Sequence, residues 1–176
     1  MRRKRGVFNK AKSAALLKAV EEERAIHRGW SVGNIASVAI LWDVHRFAPE
    51  GIERLRDDVK LLCDDYNNRE SDEERQNLVY DRVDIIKDAL GINTLWWFEP
   101  ELRKPEMVGI ATSLEMVICS LHDDDYFGVD DEELMTYYEE LKEKVHEYAL
   151  GKWNLKREKD RLEKETGVSF EMKQED

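Results

Sequence analysis

Glu143 and His146 stand three residues apart, which places a carboxylate and an imidazole one helical turn from each other, and this pair is the chain's nearest approach to metal chemistry. A di-iron bundle needs two such pairs and two further inward carboxylates, whereas the sequence offers one pair. His146 also borders the apolar stripe through Val145, where a histidine at the edge of a core is ordinary. Asp123-Asp-Asp125-Tyr-Phe127-Gly128 supplies the first, third and sixth positions of a calcium loop, but Phe127 takes the fifth and Leu134 the twelfth, where oxygen ligands are required. A solvated acidic turn explains it better. His45 and His122 each close an apolar helical stretch, a place where the helix dipole favours a cationic imidazole, and neither has a second histidine or cysteine at ligand spacing. Cys63 is followed by Asp64 and Asp65, which raise its pKa, and with Cys119 as the only other cysteine the expectation is two free thiols in apolar helical surroundings. Without a Gly-x-Ser-x-Gly or a phosphate-cradling glycine loop, the chain is expected to have no catalytic residues, cofactor or metal.

What remains is surface. Residues 1–28 hold nine Lys/Arg against three Glu, a balance of +6; the rest of the chain holds 19 basic and 36 acidic residues, a balance of -17, giving the overall -11. A basic arm on an acidic body follows. Arg2, Arg3, Lys4, Arg5, Lys10 and Lys12 are the candidate phosphate contacts, through salt-dependent binding indifferent to base sequence. Asp57, Asp58, Asp64, Asp65, Asp130, Asp131, Glu139 and Glu143 place carboxylates along two helices, as an imitation of nucleic acid would need; Arg54, Arg56, Lys60, Lys142 and Lys144 interrupt them, and solvated outer faces account for the pattern more simply. Trp96 and Trp97, in Leu95-Trp-Trp-Phe98, either plug a junction or anchor a partner.

These residues need elements to hold them, and the periodicity is helical throughout. The expected fold is all-α, with about seven helices in two related helical units. A first helix runs from Asn9 or Ser13 to about Ile26; Gly29 and Gly33 mark a loosening or a close helix contact; a second, apolar around most of its girth, begins at Val32. The third carries Ile52, Leu55, Val59, Leu62 and Tyr66 at heptad-like steps, and Ser71 with Glu74 opens a fourth that Gly91 closes. A fifth contains Ile110, Leu114 and Leu121; Asp130 and Glu133 open a sixth through Leu134, Tyr138, Leu141 and Val145; Asn154 caps a seventh. Val38 to His45 align with Glu115 to His122, and this match defines the repeat. One compact domain follows: a basic arm and helix over 1–29, unit one over 30–92, an aromatic connector over 93–104, unit two over 105–170 and a frayed tail over 171–176. A second copy can equally satisfy the heptad stripes, so a homodimer is open. No run reaches the roughly 18 apolar residues of a membrane span, and the basic start is not followed by an apolar secretion signal, so a cytoplasmic location is expected.

Arg24-Ala-Ile-His-Arg-Gly29-Trp-Ser-Val-Gly33, Leu121-His-Asp-Asp-Asp-Tyr-Phe127-Gly128, the helix to Glu147-Tyr148 and Glu163-Lys-Glu-Thr-Gly167-Val resemble small helical accessory proteins of Firmicutes phages and prophages, over most of residues 24–170. The resemblance implies a phage accessory context and carries no functional residues; the first copy departs from it, with Phe47-Ala-Pro-Glu-Gly51 in place of the Phe-Gly turn. By that analogy the expected function is a non-enzymatic interaction protein that binds and inhibits a host defence or DNA-processing complex, of anti-CRISPR or anti-restriction type, with acidic mimicry of nucleic acid as one mode. Its partner is then a host protein or nucleoprotein complex. The alternative is a DNA-binding accessory protein of phage replication or recombination, working through the arm from Arg2 to Lys12.

Overall fold

The structure, a computed structural model, describes residues 3–71, scattered positions between 73 and 91, residues 104–123 and residues 126–170, with side chains from Ala15 onward. Five helices have defined bounds: α1 (Arg3–Asp43), α2 (Pro49–Asn68), α3 (Pro105–Asp123), α4 (Asp131–Ala149) and α5 (Leu155–Thr166). There is no strand among the described residues.

The first two expected helices are one. Gly29 and Gly33 do not interrupt α1 but lie against α3, which runs parallel to it. A Cβ at Gly29 would overlap the carbonyl oxygen of Glu106; a Cβ at Gly109 would overlap that of Ile26; one at Gly33 would come 2.7 Å from Ser113 Oγ. A glycine inside a helix costs about 1 kcal/mol relative to alanine. Here it lets two backbones approach until Val32, Ile35, Ala36, Ala39, Ile110, Leu114, Val117, Ile118 and Leu121 are all buried.

The remaining helices pack on this pair. α2 packs chiefly on α3 and α4 chiefly on α1, while α5 also lies along α1. Both expected stripes turn inward within the chain: Ile52, Leu55 and Val59 from α2, and Leu134, Tyr138, Leu141 and Val145 from α4 are buried, with Leu62 and Tyr66 half-buried. The turns before α2 and α4 meet through Phe47 and Phe127, stacked with centroids 5.8 Å apart, and Arg54 lies over the Tyr126 ring at 4.4 Å.

Local signals fix the ends. Pro49 occupies the first turn of α2. Asp130 accepts the Glu133 N–H at 2.9 Å and Glu133 reaches back to the Asp130 N–H, completing the expected capping box of α4. Ser71 and Glu74 bond reciprocally at 3.2 Å, and the described positions between 73 and 90 are helical, with Leu90 buried. Asn154 caps α5 and Gly167 ends it at φ 74°. Beyond that cap Val168 and Phe170 are buried, so the chain is fastened to the body as far as Phe170. The expected frayed tail, 171–176, lies outside the described residues, as do Trp96, Trp97 and the rest of the connector before Lys104.

Substituting Gly29 or Gly109 by alanine is expected to remove roughly 2–3 kcal/mol of stability, because backbone blocks the new methyl. Gly128→Ala, at φ 60° in open space, is expected to remove only about 1 kcal/mol. Urea unfolding of the three variants checks this order, and equal losses would contradict the close approach of α1 and α3.

Candidate interaction surface

Every candidate carboxylate on α2 lies outside the buried Ile52–Leu55–Val59 stripe. Asp57 is exposed and takes the Arg56 guanidinium at 2.9 and 3.0 Å. Asp58 is half-buried beside Arg54, and Asp65 holds Arg69 through both oxygens at 2.9 Å. Asp64 is exposed and has no ion-pair partner among the described residues. On α4, Asp130 is committed to the cap, Glu139 pairs with Lys142 at 2.8 Å, and Asp131 and Glu143 are exposed without an ion-pair partner among the described residues. The acidic row is therefore half neutralised by neighbouring cations. These pairs are i,i+3, i,i+4 or adjacent and lie at the surface, where each contributes a few tenths of a kcal/mol at most.

Glu139, Glu140, Lys142, Glu143 and His146 line an open depression on α4. Glu143 and His146 do share one side of the helix, as their spacing requires, but no group of three or more His, Cys, Asp or Glu among the described residues is placed to share a metal. Cys63 and Cys119 are free thiols, Cys119 buried and Cys63 half-buried. Burial, with Asp64 adding to it, pushes the Cys63 thiol up to about 11, so it is a thiol and not a nucleophilic thiolate at neutral pH.

Of the basic residues, Arg3, Lys4, Arg5, Lys10 and Lys12 fall in α1 with side chains outside the described residues, and Arg2 lies outside them altogether. From Ala15 to Arg24 every side chain is exposed, including Leu16 at 67% and Leu17 at 63%; α1 meets described residues of α3 at Ile26 and at the Arg28–Glu106 pair, 3.2 Å. The basic segment lies on α1 on the N-terminal side of the part that packs on α3.

Two polar clusters have no counterpart in the sequence reading. Arg161 on α5 grips Asp43, at the end of α1, through two bonds of 2.7 and 3.0 Å and is flanked by Glu158 and Glu165, whose Oε2 also accepts from Trp42 Nε1 at 3.0 Å. The bonds that Arg161 donates to Glu158 and then to Asp43 hold the guanidinium still further toward its charged form. A pattern of carboxylates three before and four after an arginine is visible in the sequence; its long-range partner Asp43 is not. The second adds to the role expected of His45, whose own N–H still bonds to Ile40 O at the end of α1. α1 ends at Asp43, so His45 stands past the helix end, and its Nε2 meets Glu140 on α4 at 2.8 Å with Tyr137 edge-on at 5.8 Å. His122 does stand in the last turn of α3, as a residue favoured by the dipole should.

No family model, curated protein or solved structure matches this chain. None of the helices in its described residues is long and apolar enough to cross a membrane.

Thiol alkylation reads the state of the two cysteines. At pH 8 the folded protein is expected to react slowly at Cys63 and more slowly still at buried Cys119, with the Cys63 rate climbing as pH approaches 11; in denaturant both react at the rate of free cysteine. Rapid modification of Cys63 at pH 7 would overturn its assignment as an inert thiol.

Proposed function

We propose that this chain is a non-enzymatic interaction protein of phage origin that binds and inhibits a host defence or DNA-processing complex. The observation that carries this reading is the placement of Asp64, Asp131, Glu132 and Glu143: outward-facing carboxylates, without ion-pair partners among the described residues, on two helices fixed to one close-packed frame. Such charges are pre-positioned to meet the cationic nucleic-acid groove of a partner, and charge complementarity of this kind governs association rate and specificity more than raw affinity. The cations interspersed along α2 and α4 make the surface a patterned acidic one and not a uniform copy of a phosphate backbone.

The frame is read as two related units, the end of α1 with α2 and α3 with α4. Gly29 and Gly109, Gly33 and Ser113, and Phe47 and Phe127 face each other in pairs separated by 80 residues, in support of this, where the sequence match between His45 and His122 spans 77. The difference is close to one helical turn, the shift that an apolar repeat tolerates most easily.

The second reading, a DNA-binding accessory protein, is favoured by the place of the basic segment at the N-terminal end of α1. Titrating purified protein into a host restriction or CRISPR effector complex separates the two. The inhibitor reading expects activity to fall at stoichiometric protein, relief by roughly tenfold when Asp64, Asp131 and Glu143 are changed to lysine, and steep salt dependence. Full activity of every such complex at saturating protein contradicts it. The accessory reading expects instead a salt-sensitive duplex-DNA gel shift that disappears on deletion of residues 1–12.

A further inference from the structure

The charges of α5 are sorted by side. Between Leu155 and Thr166 the helix carries five cations and four acids. Three of the acids are engaged: Glu158 and Glu165 hold Arg161 at 2.8 and 2.7 Å, and Glu163 holds Lys159 at 2.8 Å. Lys156, Arg157 and Lys164 are left over, exposed and without an ion-pair partner among the described residues, together with Asp160. Steps of four join 156, 160 and 164, and 157 stands seven before 164, so these residues share one side of the helix, opposite the buried Leu162 and Thr166. Lys152, exposed in the turn before α5, adds a fourth cation. In a chain of formal charge -11, this one face carries four unpaired cations and one acid, a balance of +3.

Helix stability does not account for the row. Lys152, Lys156 and Arg157 gather at the amino end of α5, where the helix dipole favours acids and disfavours cations. A local rule broken at exposed positions, which packing leaves free to carry other residues, is the pattern of a surface used for binding. The row contains no apolar or aromatic residue, so it offers a protein partner none of the buried anchors on which such interfaces depend. The apolar side that a membrane-surface helix would insert is turned inward, with α5 packed on α1. What is left is recognition by charge alone, which is how cationic side chains meet the phosphate oxygens of a nucleic acid.

We infer that this face of α5 binds the phosphate backbone of a DNA duplex through Lys152, Lys156, Arg157 and Lys164, irrespective of base sequence. Lys156 and Lys164 stand about 12 Å apart along the helix axis, a span that covers several phosphates of one strand. Asp160, between them, opposes the contact and keeps it weak. The inference goes beyond the inhibitor reading and does not rest on it, because the row lies on α5 and not among the carboxylates of α2 and α4; it is also separate from the contacts expected of Arg2 to Lys12.

Fluorescence anisotropy of a labelled duplex of arbitrary sequence, titrated with the full chain between roughly 50 and 200 mM salt, tests it. The natural chain is expected to bind, with log K falling linearly in log[salt]. K156Q/R157Q/K164Q is expected to weaken binding on the order of tenfold and to flatten that slope by about 0.9 for each phosphate contact removed. D160K is expected to tighten binding roughly threefold or more, a gain that damage to the fold cannot imitate. Circular dichroism of the triple variant is expected to match the natural chain, and its unfolding midpoint to match or exceed it, since two cations have left the positive end of the helix dipole. Three results overturn the proposal: no binding at about 50 mM salt, a salt slope unchanged in the triple variant, or capture of polyglutamate with the duplex left free. None of them bears on the inhibitor reading, which is judged on the activity of the target complex.

Discussion

Close approach of two parallel helix backbones is the constraint on which this molecule is built. Gly29 in α1 and Gly109 in α3 each face a carbonyl of the other helix, and any side chain at either position would push the pair apart. Because the contact is reciprocal, it fixes both separation and register, and the buried rows from Val32 to Leu41 and from Ile110 to Leu121 follow from it. Leucine or alanine in place of these glycines would favour each helix alone by about 1 kcal/mol and disfavour the pair by more. Helix propensity is overridden here by packing.

Everything else is arranged around that pair. α2 and α4 pack on it, joined at their starts by the stacked Phe47 and Phe127, and polar bonds tie the ends: Arg161 to Asp43, His45 to Glu140 and Tyr148 to Glu106 at 3.0 Å. At the C-terminal strap, Lys159, followed by the backbone N–H of Phe170, holds the Glu163 carboxyl below its ordinary pKa. Its contribution is therefore present above the usual carboxylate range and lost as pH falls through the lowered value; the group is half-buried at the surface, where solvent screening keeps that contribution small. Among the described residues the apolar rows face inward and the acidic faces of α2 and α4 face outward.

How far the sequence revealed this depends on the range of each signal. The caps at Ser71, Asp130 and Asn154 were legible because their partners lie three residues away. The inward stripes of α2 and α4 were legible because period and apolarity agree. Gly29 and Gly33 were ambiguous, since a glycine both interrupts helices and permits close contact, and the choice rests on Gly109 and Ser113, far along the chain. Of the two alternatives, loosening or close contact, the second is realised, and the boundary expected before Val32 is absent. His45 was assigned to its own helix end because Glu140, 95 residues on, cannot be paired with it by spacing. The acidic residues were identifiable by type, but which of them stay unneutralised depends on side-chain geometry at Arg56, Arg69 and Lys142.

The parallel register of α1 and α3 is open to direct measurement by spin-label distances from the exposed Val108 to exposed Ile26 and, separately, to exposed Val44. The account predicts that the 26–108 pair lies within about 15 Å and that the 44–108 pair lies roughly 25 Å apart, 18 residues further along α1 and the turn that follows it. The reverse order, or two similar distances, would contradict the glycine-locked helix pair on which the description of this protein rests.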